Sequence, residues 1–198
     1  MKIADIIHEA HATACEKGWH ERPLRNEAGE LDVDRVAAKL ALIHSEITEA
    51  WECWSMRDFD TRVSDSGKPE GLFVELADVV IRVGDLLGAL DIEYSGSWAT
   101  THEVWDEVIR PSFDDMPALF VQAHGSVSYA LEALRDSSEV DVEEALTCLI
   151  GQCVQLAKGA TSLFFGSSLE SPDPFTEAVR IKTAYNRTRP HRHGGKAL

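Results

Sequence analysis

Glu46 and Glu49 form an E-x-x-E pair, and Glu75 and Asp78 form an E-x-x-D pair further along the chain. Both pairs fall in segments with helical periodicity, so each pair projects from one side of its helix. Four acids converging between two packed helices repel one another unless a cation sits among them. All-oxygen ligation favours a hard ion, Mg²⁺ or Mn²⁺. A single pair would be weak evidence, because surface helices are rich in Glu. Two pairs on successive helices, each flanking an apolar stripe, are stronger evidence for a metal centre, with a solvated acidic face as the alternative.

Other groups could extend that chemistry. Glu52 and Asp85 lengthen the acid rows by one or two turns. Asp85 could touch metal-bound water or a sugar, or pair with Arg82 at i,i+3. The segment 185–195, YNRTRPHRHGG, mixes Asn, Arg and His around a Pro and ends in two glycines. Arg binds phosphate through a planar fork, and Gly194 and Gly195 let backbone fold closely over a ligand. In a chain with a metal site this basic tail is expected to contact phosphate. His8, His11 and Cys15 share a helix face, but no clear fourth ligand accompanies them, so a structural role is expected over zinc. Trp51, Trp54, Trp98 and Trp105 could stack on a base, but core packing is the commoner use of Trp at this spacing. A di-iron bundle would need His at the i+3 positions, where Glu49 and Asp78 stand.

The elements that must position these groups are all helical. Helices are predicted over 2–17, ending at Gly18; from Asp32 or Asp34 to about 57; over 70–91; a short one over 98–109; then 117–136, 139–165 and 174–188. Val36, Leu40, Ile43, Ile47, Ala50 and Trp54 mark the buried stripe of the second helix. Leu72, Leu76, Val79, Val80, Val83, Leu87 and Leu90 mark that of the third. No segment shows convincing strand alternation. The expected class is an all-α helical bundle, one domain over 1–198.

At 198 residues and 44% hydrophobic, the chain can bury one sizeable core. Its net charge of −15 argues against nucleic acid and anionic membranes as partners. A polyanionic small substrate would need a metal or local basic groups. The C-terminal segment supplies such groups: Arg180, Lys182, Arg187, Arg189, Arg192 and Lys196 follow the last acid, Glu177. Cys15, Cys53, Cys148 and Cys153 show no C-x-x-C spacing, lie in helical patterns and read as free buried thiols of a reducing cytosol. No apolar run is long enough for a membrane span, so a cytoplasmic location is expected.

The second half echoes the first. HSEITEAWECW (44–54) aligns without gaps to HGSVSYALEAL (124–134), with His, Ala and Glu identical at 44/124, 50/130 and 52/132. The third helix aligns loosely with 146–158. On that alignment Glu46, Glu49, Glu75 and Asp78 become Ser126, Tyr129, Cys148 and Gly151. The acids are lost while the apolar frame stays. The likeness fits a duplication, or two amphipathic helices that look alike because both bury Leu and Ala; the duplication reading gives a metal-site half over about 1–93, a degenerate repeat over about 112–166, and a C-terminal helix with basic tail over 174–198.

Together these residues resemble the MazG-like members of the all-α NTP pyrophosphohydrolase superfamily. The matching pieces are EKGW (16–19), LALIHSEITEAWE (40–52), KPEGLFVELADVVIRVGDLLGALDIE (68–93) and KTAYNRTRPHRHGGKAL (182–198), collinear over about 30% of the chain. The resemblance implies a four-helix-type core, usually oligomeric, and Mg²⁺-dependent hydrolysis of a nucleoside triphosphate to monophosphate and pyrophosphate. It implies Glu46, Glu49, Glu75 and Asp78 as the catalytic Mg²⁺ ligands. Lys182, Asn186, Arg189 and Arg192 match phosphate-contacting positions, and Lys68 and Asp85 are further substrate-binding candidates. The stretch from about 95 to 172 departs from the pattern. Extra helices there could supply within one chain a surface that shorter relatives take from a second subunit, giving an internal pseudo-dimer in place of, or within, the usual homodimer. A non-catalytic helical scaffold with a vestigial metal site is the alternative.

Overall fold

A computed structural model describes residues 2–94, 111–165 and 173–195. Helix α1 spans Ile3–Glu16 and α2 spans Val33–Met56. Strands β1 (Arg62–Val63) and β2 (Pro69–Glu70) precede α3, Leu72–Ala89. A 3-10 turn, Phe113–Asp115, leads into α4, Met116–Arg135. Helix α5 spans Glu139–Phe164, and α6 spans Pro174–Thr188. Six of the predicted helices are present with ends within two residues of expectation; the helix expected at 98–109 lies outside the described residues. No helix of the described residues is long and apolar enough to cross a membrane.

Local chemistry sets these boundaries. Gly18 takes a left-handed φ of 79° just past α1, and a Cβ there would strike the His191 ring. The Asp32 side chain accepts from the Arg35 amide and caps α2. The all-α class holds, with one small addition that the sequence did not signal: residues 62–63 and 69–70 pair as a short antiparallel hairpin. Two-residue strands are too short to show the period-2 alternation that betrays a strand. Its turn, closed by Gly67 N–H donating to the Ser64 carbonyl, sets Lys68 beside the acid helices.

Helix α3 is the hub. It packs on α1, α2, α5 and α6, and it buries Phe73, Val74, Ala77 and Leu86 as well as the predicted stripe. A helix covered on most sides is apolar on most sides. Its contact with α1 runs over small residues. A Cβ on Gly84 would lie 3.0 Å from Ile7 Cα, and one on Gly88 would lie 2.6 Å from His11 Cβ. Gly88→Val is therefore expected to cost about 1–3 kcal/mol in chemical denaturation through overpacking, even though Val is the better helix former.

Helices α4 and α5 form a second hairpin, with α4 against α2 and α5 against α3. His44 and His124, equated by the repeat alignment, meet with Nδ1 atoms 2.8 Å apart and rings stacked at 5.1 Å. A residue touching its own equivalent is what two like hairpins produce at a two-fold axis. Burial holds both imidazoles below their ordinary pKa, and for His44 the neighbouring His124 adds to the effect.

Candidate metal centre and cleft

Helices α2 and α3 bring Glu46, Glu75 and Asp78 together, with one carboxylate oxygen of each within 4.8 Å of the others. Glu46 and Glu75 are only 6% and 4% exposed, and the Asp78 side chain is 13% exposed. Glu49 is exposed and stands outside this trio. Helical geometry explains the split. Residues three apart differ by about 60° around the axis, which turns Glu49 further from the α2 stripe than Glu46. On α3 the same offset leaves Asp78 sheltered, because α6 covers that side.

The trio already holds two cations. Arg82 donates to Glu46 Oε1 from Nε at 2.7 Å and lies 2.6 Å away through Nη2. Lys182, on α6, is buried and ion-paired with Asp78. Glu75 Oε2 is buried without a hydrogen-bond partner. Burial, reinforced by Asp78, pushes the Glu75 carboxyl up to about 7. Burial also raises Asp78, to about 6, against the pull of Lys182. Burial alone would lower the Lys68 ammonium, but Glu75, Glu49, Asp78 and Glu46 together hold it above its usual value. All four predicted acids therefore act on one point beside the hairpin.

These groups open on a cleft of about 470 Å³. Its walls carry Lys17, Arg35, Lys39, Lys68, Arg82, Lys182 and Arg189. Against these seven cations stand Glu46, Glu49, Asp78 and Asp85 on the walls, with Glu75 behind. A chain of net charge −15 has thus gathered a local cationic excess in its cleft, the arrangement that attracts a polyanion. Asn186 also lines the cleft, its Oδ1 buried and unpartnered. Lys182 and Arg189 lie 6.0 and 5.8 Å from the Tyr185 ring.

The remaining predicted residues divide. Arg192 does not line the cleft. It anchors the tail instead, donating from Nε to the Gly18 carbonyl at 3.1 Å and pairing with Glu21 at 2.8 Å. Glu52 is exposed on α2 and also lies off the cleft. Asp85 lines the cleft but does not pair with Arg82. Its Oδ1 accepts from His20 Nε2 at 2.6 Å and His11 Nδ1 at 3.2 Å, and its Oδ2 from Lys39 at 2.9 Å. These partners outweigh burial and hold the Asp85 carboxyl well below the usual range. His8 is exposed, and Cys15 Sγ lies 3.6 Å from the His11 ring. Trp54 packs among Phe59, Phe113 and Phe164, and Trp51 meets Phe120 edge-on. Trp98 and Trp105 lie outside the described residues. All four cysteines are free thiols, but the expectation that they are buried holds only for Cys153: Cys53 is half-buried, and Cys15 and Cys148 sit on exposed helix faces.

Sequence reasoning missed His20, Lys39 and the aromatic wall where Trp19 meets His193 at 5.2 Å. Periodicity offered a signal only for Lys39, one turn beyond Arg35 on α2. No protein-family model, curated protein or solved structure matches this chain.

Proposed function

We propose that this chain is a divalent-metal-dependent nucleoside triphosphate pyrophosphohydrolase of the MazG-like type, converting an NTP or dNTP to the monophosphate and pyrophosphate. The observation that carries the reading is the pairing of a buried carboxylate trio with a basic cleft at its mouth. The trio fits Mg²⁺ or Mn²⁺ on its own chemistry. Its donors are all oxygen, they converge, and one buried carboxylate oxygen is without a partner. Glu46, Glu75 and Asp78 would hold the ion, with Glu49 joining from the cleft wall. When bound, the ion supplies charge neutralisation on phosphate oxygens and acidifies water.

The protein's own groups would do the rest. Lys68, Lys182 and Arg189 would bind and orient the phosphate chain, and their charge would favour the departing pyrophosphate. Asn186 would donate through its amide. Glu49, exposed and outside the trio, would accept the proton of the attacking water at its carboxylate. The meeting of His44 with His124 supports a duplicated bundle whose second hairpin serves packing, providing within one chain a surface that shorter relatives borrow.

One observation favours the rival reading, a helical scaffold or nucleotide-binding protein. Arg82 and Lys182 compensate Glu46 and Asp78 without a metal. A panel of NTPs and dNTPs, assayed for pyrophosphate with and without Mg²⁺, separates the two. Metal-dependent release from at least one nucleotide is expected; none from any would leave the rival standing.

A further inference from the structure

Arg82 and Lys182 hold the same carboxylates that a divalent ion needs. Arg82 reaches Glu46 from α3 itself, and Lys182 reaches Asp78 from α6. Both cations also line the cleft. A divalent ion among the trio would place a second positive charge against each. Arg82 occupies Oε1 of Glu46 and Lys182 occupies Oδ2 of Asp78, and metal ligation would take up much of the charge that holds each cation there, so that hold weakens. Each side chain is long enough to leave the acid while staying in the cleft, and for Lys182 the Tyr185 ring, 6.0 Å from Nζ, offers a cation–π surface there.

Resting on the metal reading above, we infer that Lys182 and Arg82 are resident counter-ions of the carboxylate trio, which a divalent ion displaces and which then bind polyphosphate. Metal and polyphosphate therefore bind with positive coupling through these two side chains, and the coupling is reciprocal. The exchange also explains how the three acids of the trio can lie so close in a fold that must exist before metal arrives. It further keeps polyphosphate from seating firmly without the ion, because its two cations are otherwise engaged.

The test is Mn²⁺ binding to the full chain by electron paramagnetic resonance, for the wild type, Arg82→Met and Lys182→Met. It is measured with Mn²⁺ alone and with the Mn²⁺–tripolyphosphate complex. Each variant is expected to bind Mn²⁺ alone several-fold tighter and the complex at least about tenfold weaker, so that coupling falls from the usual range of about 5–150-fold towards unity. Changes of opposite sign are something a merely structural role would not produce. Arg82, with a side chain 40% exposed, keeps the test open should Lys182→Met, at a buried position, fold poorly. Mn²⁺ binding by the wild type with unchanged or jointly weakened affinities in the variants would overturn this inference alone. No Mn²⁺ binding by the wild type would overturn the metal reading with it.

Discussion

Glu75→Gln is expected to melt higher than the wild type in metal-free buffer at pH 8 and to lose nearly all pyrophosphate release. The two effects share one cause. The Glu75 carboxyl is pushed from its ordinary value of 4.5 to about 7 by burial and by Asp78. A carboxyl whose folded pKa is raised contributes stability below its unfolded pKa, and that contribution is lost as pH rises through the folded value. At pH 8 the wild type thus carries a buried charge that Gln does not. At 1.36 kcal/mol per pKa unit the rise from 4.5 to about 7 sets the difference at no more than about 3 kcal/mol in favour of the variant. It should shrink towards zero by pH 5, where Glu75 is protonated.

Mg²⁺ should reverse that order. An ion at a hundred times its dissociation constant stabilises by about 2.7 kcal/mol, and the variant has lost one of its oxygen ligands. Turnover should fall at least about a hundredfold, since even outer-shell partners of a metal matter by 10–100-fold. Glu46→Gln should lose turnover likewise. Thermal melts at pH 5 and pH 8, with and without Mg²⁺, read the crossing. A Glu75→Gln protein that is less stable than wild type in metal-free buffer at pH 8 would sink the account of Glu75 as a strained ligand.

How much of this was legible without coordinates depends on the range of each interaction. Every predicted stripe residue on α2 and α3 is buried, because a stripe is a local, periodic property of one helix. Glu46, Glu75 and Asp78 were readable as a group for the same reason, lying beside those stripes on consecutive helices. What single-helix periodicity does not carry is choice of partner. Arg82 and Asp85 sit at i,i+3, where a helical wheel pairs them. Yet Arg82 reaches across to α2, and Asp85 is claimed by α1, the following loop and α2. Lys182 meets Asp78 across more than a hundred residues of chain. Arg192 was placed with the phosphate ligands by the pattern of the tail, but the backbone turns at Arg192 and His193, both with left-handed φ, and returns it to Glu21. The repeat is a mixed case. The alignment pairs His44 with His124, and the two rings meet, a spatial relation that an alignment by itself lacks.

Asp85→Ala should be the most destabilising single substitution near the cleft, by about 3–5 kcal/mol, since it strands a buried charge network. Asp85 is the common acceptor for His11, His20 and Lys39. The His20 and Lys39 side chains are themselves only 8% and 17% exposed, so water replaces the lost carboxylate poorly. The dependence on pH identifies the network. The Asp85 carboxyl is held below its ordinary pKa, so its contribution is present above about 4 and is lost as pH falls through the folded value. Its hydrogen bond raises the pKa of His11 despite burial, so that contribution is full below about 6.5 and declines as pH rises through the raised value. The stability gap between wild type and Asp85→Ala should therefore be widest between about pH 4 and 6.5 and narrow on both sides. Urea titrations across pH 3–9 would trace this bell. A gap that is flat with pH would mean that Asp85 acts through packing alone, and that the charges around it are independent of one another.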